Sequence, residues 1–163
     1  MVYCYMRRFQ GIYQICANSC IPASIENVIR YHGGNISQRE FLDDFLKENA
    51  MQDLLFEKVK IFLDKYSRFT KDFKSEHKTI KDHKDINGCL KYIEECISHN
   101  VPLIIALNDG ENSHVVTVHY IEGGKISYFD SNPISGGFQG FKRKEEVVPL
   151  FSPSLGTLVI KRK

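Results

Sequence analysis

The spacing of apolar residues changes near the end of the first hundred residues, and this change is the strongest constraint on the fold. Before it, apolar side chains recur every three or four positions, which is the period of an amphipathic helix. After it, apolar runs have strand length, as in the segments 101–107, 115–118, 126–129 and 157–160. Helices first and antiparallel strands second predict an α+β arrangement rather than a doubly wound one. We expect a single domain, because 163 residues can bury a sizeable core.

Four helices are predicted in the first part of the chain. The first should begin at Cys20 and end before the Gly33-Gly34 pair. Ser37, with Glu40 three residues later, has the capping-box pattern that opens a second helix. The third and fourth are indicated by apolar residues at helical spacing, namely Leu55, Val59, Phe62 and Tyr66, then Ile86, Leu90, Ile93 and Ile97. The charged segment 71–85 between these two favours an exposed connection with one short strand.

Composition argues against several classes of protein. The formal net charge is only +2, so no long-range field favours nucleic acid or an anionic membrane. No apolar run approaches the ~20 residues needed to span a bilayer. Arg7, Arg8 and Gln10 lie where a signal peptide needs its apolar stretch, so a cytoplasmic protein is predicted. The five cysteines are therefore expected to be reduced thiols rather than a disulfide framework.

The position of Cys20 favours a nucleophilic thiol. A free thiol has a pKa near 8.5, and the unpaired N–H groups at a helix N-terminus stabilise its anion. Pro22 fits the first turn of a helix, and Asn18 and Ser19 are residues of the helix-capping type. Gln14, six positions upstream, could bring its side-chain amide beside the thiol as a donor to an oxyanion.

Other interpretations of the cysteines were weighed against this one. Cys89 and Cys96 lie on or beside the apolar stripe of the fourth helix, which favours core packing. A structural zinc site is the alternative for four residues: Cys16, Cys20, His114 and His119. The spacing of the two cysteines is unremarkable for zinc, and no second cysteine pair follows at a usual distance.

His114 and Asp130 lie on two successive strands, and the register of the hairpin decides whether they meet. A two-residue turn at Gly123-Gly124 would place them on opposite faces, whereas a three-residue loop starting at Glu122 places them on the same face. The apolar residues of both strands are even-numbered: Val116, Val118, Tyr120, Ile126 and Tyr128. This pattern is coherent only if even positions face even positions, so the three-residue loop is predicted.

A shared face would make Asp130 the residue that orients the His114 imidazole and stabilises its charged form. Asn132 is the alternative orienting residue, because a neutral amide can also hold the ring. His119 falls on the opposite face and is left out of the site.

These residues resemble the motifs of the bacteriocin-processing peptidases, which remove double-glycine leader peptides and belong to the papain-like superfamily. The first block is Gln14, Cys20, Ala23 and Tyr31-His32-Gly33, and the second is His114-Val115-Val116 with Asp130. The resemblance implies a papain-like fold in which the cysteine helix packs against an antiparallel sheet bearing the histidine and the aspartate. It also implies an oxyanion hole made by Gln14 and the Cys20 backbone N–H, and no metal or organic cofactor.

The chain departs from that family at three positions. Ile21 stands where a glycine usually follows the nucleophile, Ser19 stands where an aspartate usually precedes it, and Ser131 rather than proline follows Asp130. The usual host of such a domain is a leader-cleaving transporter. The chain is therefore expected to be a stand-alone relative or a fragment that associates with a transporter.

The predicted function is hydrolysis of peptide or isopeptide bonds in a peptide or protein substrate, through a Cys20–His114–Asp130 triad and a thioester intermediate. Two alternatives keep the same site. One is an amidase, deamidase or transglutaminase-like acyltransferase, and the other is an inactive relative that binds peptides without cutting them.

Overall fold

Helices are the main regular structure in the described part of the first hundred residues, as the apolar spacing predicts. A computed structural model describes residues 9–109, 112–122, 125–141 and 156–163. Within these ranges the helices are α1 (Cys20–Tyr31), α2 (Gln38–Phe45), α3 (Phe56–Lys65), α4 (Ser67–Thr70) and α5 (Ile86–Ser98). None of the helices in the described ranges is long and apolar enough to cross a membrane.

The strands form one antiparallel sheet. They are β1 (Phe73–Lys78), β2 (Leu103–Asp109), β3 (Asn112–Glu122), β4 (Lys125–Asp130), β5 (Gly137–Phe141) and β6 (Thr157–Arg162). Their spatial order is β1-β6-β2-β3-β4-β5, and each neighbouring pair is antiparallel. The predicted α+β class is therefore confirmed, and the charged segment 71–85 does contribute one strand, β1.

The sheet is covered on both faces. On one face, α1, α2 and α3 pack their apolar stripes against strand residues that include Ile104, Val115 and Leu158. On the other face, α5 packs against residues that include Ile105, Val116 and Val159. Cys89 and Cys96 lie within this second core, as predicted. Since neighbouring residues of one strand serve opposite cores, the segments 103–107 of β2 and 158–160 of β6 are continuously apolar.

The ends of α1 and the start of α2 follow from local sequence signals. Gly33 adopts a φ of +82°, a conformation that glycine reaches without steric cost, and its N–H donates to the Arg30 carbonyl at 2.9 Å. The Gly34 N–H donates to the Ile29 carbonyl at 2.8 Å, which closes the helix end. The predicted capping box of α2 is present: the Ser37 hydroxyl accepts from the Glu40 N–H, and the Glu40 carboxylate accepts from the Ser37 N–H.

The β3–β4 hairpin has a different register from the predicted one. Glu122 pairs with Lys125, so only two residues connect the strands, and the predicted three-residue loop is wrong. Gly123 and Gly124 themselves lie outside the described residues. A β-bulge between Val118 and Tyr120 supplies the extra residue instead, so that Val118 pairs with Tyr128. On the side of the bulge away from the turn, even positions face even positions, as predicted, whereas on the turn side Tyr120 pairs with Ser127 and is 39% exposed.

Candidate active site

Cys20 is the first residue of α1, and its side chain is partly buried. The first helical hydrogen bond runs from the Ala23 N–H to the Ser19 carbonyl at 3.1 Å, so the N–H groups of Cys20 and Ile21 precede the helical ladder. Ser19 holds the N-cap position, but its hydroxyl donates to the Cys16 carbonyl at 2.7 Å instead of capping the helix. The N-terminus of α1 therefore carries both the thiol and backbone N–H groups that lie outside the helical hydrogen-bond pattern.

His114 and Asp130 meet across the hairpin. His114 Nε2 lies 2.6 Å from Asp130 Oδ1, and the two side chains are 29% and 14% exposed. The Cys20 side chain also lies close enough to the His114 imidazole to raise its pKa. Because Nε2 is engaged by Asp130, the second ring nitrogen, Nδ1, is the one left for the thiol. The predicted proximity of His114 to Asp130 is confirmed, although the bulge rather than the loop produces it.

The electrostatics of this pair favour a charged imidazole. The hydrogen bond to Asp130, and then the nearby Cys20 side chain, raise the pKa of His114 to about 10 against the opposing effect of burial. Burial is the largest single influence on the pKa of Asp130, and it raises this pKa because it favours the neutral form. The hydrogen bonds from His114 and from the Asn132 N–H outweigh it, so the pKa of Asp130 lies below its ordinary value. At neutral pH, the pair is therefore an imidazolium beside a carboxylate.

The backbone N–H and the side-chain oxygen of Asn132 both form hydrogen bonds within the turn that follows β4. Its backbone N–H donates to Asp130 Oδ1 at 2.9 Å, and its side-chain oxygen accepts from the Ile134 N–H at 2.9 Å. This is an Asx-type turn, in which an asparagine caps the backbone two residues on. Asp130, rather than the alternative Asn132, is therefore the side chain bonded to the imidazole in this structure.

Gln14 lies between the turn that leads into α1 and the end of β4. Its side-chain nitrogen Nε2 donates to the Cys16 carbonyl at 3.1 Å, and its side-chain oxygen Oε1 accepts from the Ser131 hydroxyl at 3.0 Å. Its backbone N–H donates to the Ser131 carbonyl at 2.8 Å. One hydrogen of the Nε2 amide is used by Cys16, and the other remains for a ligand.

Buried amide side chains hold the segment that carries Gln14. Asn27 of α1 bonds both the N–H and the carbonyl of Ile12, at 2.7 and 3.2 Å. Gln38 of α2 donates to the Tyr13 carbonyl at 2.9 Å and accepts from the Ile15 N–H at 3.0 Å. Asn27, Gln38 and Ser131 are all at most 3% exposed. Sequence reasoning missed these three residues, because nothing in their local pattern indicates partners 15 or more positions away.

A cavity of about 270 Å³ opens beside Gln14. It is lined by Gln14, Ile15, Cys16 and Ala17 on one side and by Asn132, Pro133 and Ile134 on the other. The segment before α1 and the loop after β4 therefore form its two walls. Ile134 is 96% exposed and Ile15 is 54% exposed, so the rim of the cavity is apolar and open to solvent.

His119 packs against an aromatic ring of the N-terminal segment. His119 stacks on Phe9, with 5.1 Å between ring centroids, and its burial lowers its pKa to about 4. Cys16, Cys20, Cys89 and Cys96 are free thiols, and Cys4 lies outside the described residues. Within the described ranges, no group of three or more His, Cys, Asp and Glu side chains is placed to bind a metal ion.

A family-level comparison identifies the class of protein. The model of the Peptidase_C39 like family matches residues 5–146, which is most of the chain, and the protein belongs to this family. It is therefore a cysteine peptidase, and the resemblance drawn from the sequence motifs is confirmed at the level of the family. Comparison with curated protein sequences gives no significant match.

Solved structures with the same fold are peptidase domains. The peptidase domain of ComA from Streptococcus, a bifunctional ABC transporter involved in quorum sensing, superposes with a TM-score of 0.67 at 17% identity, covering 95% of this chain and 98% of that chain. A double glycine motif protease from an AMS/PCAT transporter, solved with its leader peptide, gives 0.63 at 17% identity, covering 99% and 97%. A putative C39-like peptidase from Bacillus anthracis gives 0.61 at 11% identity, covering 96% of each chain. The predicted papain-like fold is thereby confirmed.

Proposed function

We propose that the protein hydrolyses peptide bonds with Cys20 as the nucleophile, His114 as the acid and base, and Asp130 as the residue that orients and charges His114. The observation that carries the proposal is the contact chain from the thiol at the start of α1, through the imidazole, to a carboxylate oxygen 2.6 Å away. Gln14 Nε2 and the Cys20 backbone N–H are proposed to stabilise the oxyanion.

The reaction starts with His114 protonated and Asp130 ionised. The Cys20 thiolate attacks the carbonyl carbon of the scissile amide, and the carbonyl electrons move to the oxygen. The tetrahedral intermediate then collapses, the C–N bond breaks, and His114 gives its proton to the departing amine. In the second half, neutral His114 takes a proton from water, the hydroxide attacks the thioester, and the acid is released as the sulfur recovers its charge.

The proposed substrate is a peptide with two small residues, such as Gly-Gly or Gly-Ala, before the scissile bond. Support comes from the family and from the similar fold of a protease described as acting on a double glycine motif and solved with a leader peptide. Two of the similar folds are parts of transporters, so we also propose that this chain acts on peptides presented by a transporter partner.

The test compares two thiols that lie four residues apart. Synthetic peptides with Gly-Gly or Gly-Ala in the middle are incubated with the wild type, Cys20→Ala and Cys16→Ala, and the products are followed by mass spectrometry. We expect Cys20→Ala to abolish cleavage and alkylation at position 20. Cys16, an exposed thiol near the same helix end, is the matched control, and Cys16→Ala should cleave within a few-fold of the wild type.

Cleavage by Cys20→Ala at the wild-type rate would contradict the proposal. Uncut peptides that bind the wild type would favour the inactive peptide-binding alternative. Incorporation of an added amine at the glycine carboxyl, in place of water, would favour the acyltransferase alternative.

A further inference from the structure

The end of β4 is joined to Gln14 by two hydrogen bonds of different kinds. The Ser131 carbonyl accepts the Gln14 backbone N–H at 2.8 Å, and the Ser131 hydroxyl donates to the Gln14 side-chain oxygen at 3.0 Å. Ser131 is 1% exposed and directly follows Asp130, which holds His114. A single dipeptide therefore contacts both the imidazole and the glutamine.

The Ser131 hydroxyl and the Cys16 carbonyl hold the two ends of the Gln14 amide, and the carbonyl, which can only accept, sets which end faces it. In the observed orientation, Oε1 receives the Ser131 proton and Nε2 donates to the Cys16 carbonyl at 3.1 Å. A flipped amide would place Oε1 against the Cys16 carbonyl, so that two acceptors would face each other. The Cys16 carbonyl also accepts the Ser19 hydroxyl at 2.7 Å, within the turn that leads into Cys20. The NH₂ end of Gln14 thus faces this turn.

We propose that Ser131 is a positioning residue, whose hydroxyl holds the carbonyl end of the Gln14 amide so that its NH₂ end serves the oxyanion. The inference rests on the proposed function, since it takes Gln14 as the oxyanion donor. Proline, which follows the aspartate in the resembled peptidases, has no hydroxyl to offer. In this chain, the carbonyl end of the Gln14 amide is therefore held by a bond that proline could not make.

The experiment is a double-mutant cycle between Ser131→Ala and Gln14→Ala, read by the burst of p-nitrophenol from N-acetyl-Gly-Gly p-nitrophenyl ester. Loss of the donor in Gln14→Ala should slow acylation by about a hundredfold. Loss of one neutral hydrogen bond in Ser131→Ala should slow it by about two- to tenfold, with little change in KM. In the Gln14→Ala background, Ser131→Ala should cause no further loss.

Alkylation by iodoacetamide separates orientation of the glutamine from damage to the thiol. Alkylation displaces iodide at a saturated carbon and forms no oxyanion. The alkylation rate of Ser131→Ala should therefore equal that of the wild type. Thr157→Val is the matched control for losing a buried hydroxyl, because the Thr157 hydroxyl lies buried on β6 and has no hydrogen-bond partner among the described residues. This control should acylate at the wild-type rate. Ser131→Gly removes the same hydroxyl and leaves no side chain in its place.

Three outcomes would overturn the inference: an equal slowing by Ser131→Ala with and without Gln14, no slowing by either Ser131 variant, or a parallel fall in the alkylation rate. Failure of the proposed function has a separate signature, since Cys20→Ala would then still release the p-nitrophenol burst. A Cys20-dependent burst combined with an additive cycle would reject the role of Ser131 alone.

Discussion

Asp130→Asn isolates the charge of the carboxylate from its geometry. An asparagine side-chain oxygen can still accept the His114 Nε2–H, so the ring should keep its orientation while its charged partner disappears. At 2.6 Å, two unit charges attract by about 6 kcal/mol at an effective dielectric constant of ~20, and by about 1.6 kcal/mol in bulk water. One pKa unit corresponds to about 1.36 kcal/mol, so the pKa of His114 should fall by roughly 1 to 4 units from its value of about 10.

The assay is a titration of the histidine ring nitrogens by NMR in protein labelled with ¹⁵N-histidine. The hydrogen bond to Asp130 raises the pKa of His114 more than the Cys20 side chain does, so Asp130→Asn should lower it more than Cys20→Ser. His119, whose pKa is lowered to about 4 by burial, provides a reference signal that neither change should move. An unchanged His114 titration in Asp130→Asn, or a larger drop in Cys20→Ser, would refute this reasoning.

The same substitution has a signed effect on stability. The folded pKa of His114, about 10, lies above its unfolded value near 6.5, so the stabilisation is fully present below pH 6.5 and is lost as the pH rises towards 10. Asp130→Asn should therefore lower the melting temperature more at pH 6.5 than at pH 10. The alkaline limb of peptide cleavage should also move to lower pH, because the leaving amine needs the His114 proton.

The remaining predictions concern the packing around the site. His119→Phe should keep the stack on Phe9 and remove a buried ring nitrogen that has no hydrogen-bond partner within the described part of the chain. Because the folded pKa of His119 is lowered to about 4, the wild type loses stability as the pH falls from 6.5, and the variant should lose about 1–2 kcal/mol less between pH 7 and pH 5 in urea unfolding; equal losses would contradict this. In Gly11→Ala, the new Cβ would clash with the buried Phe129 ring, which would have to shift, and about 1–3 kcal/mol of stability should be lost. An unchanged urea midpoint would rule out that steric argument.

Local signals in the sequence were sufficient to locate α1, α2, α3 and α5 and every strand of the described residues except β5, whereas α4 and β5 were not predicted. Pro22 and the Gly33-Gly34 pair bracket α1, and the Ser37–Glu40 capping box opens α2, because these residues act within one turn of the helix end. The placement of β6 between β1 and β2 could not be predicted in the same way. Strand order depends on which apolar faces meet across the whole chain. The run 157–160 has the same apolar character whichever strands lie beside it, so it does not indicate its neighbours.

The polar residues that hold Gln14 in place show a second limit. Asn27, Gln38 and Ser131 each bond to a segment that lies 15, 23–25 and 117 positions away. Asparagine, glutamine and serine are common on solvated surfaces, so their burial becomes visible only when the N-terminal segment is docked. The motif pattern indicated the candidate residues of the site, whereas the residues that hold them in place are apparent only in the folded structure.

The hairpin shows why a wrong loop still led to the right pair. The apolar pattern records only that even positions face even positions, and one extra residue anywhere between the two apolar sets satisfies it. The structure places that residue at the bulge next to His119, whose ring stacks on Phe9 at 5.1 Å and meets Phe138 edge-on. This aromatic packing favours the bulge over the longer turn. The parity that brings His114 to Asp130 is thus set by the bulge in the middle of β3, and not by the turn.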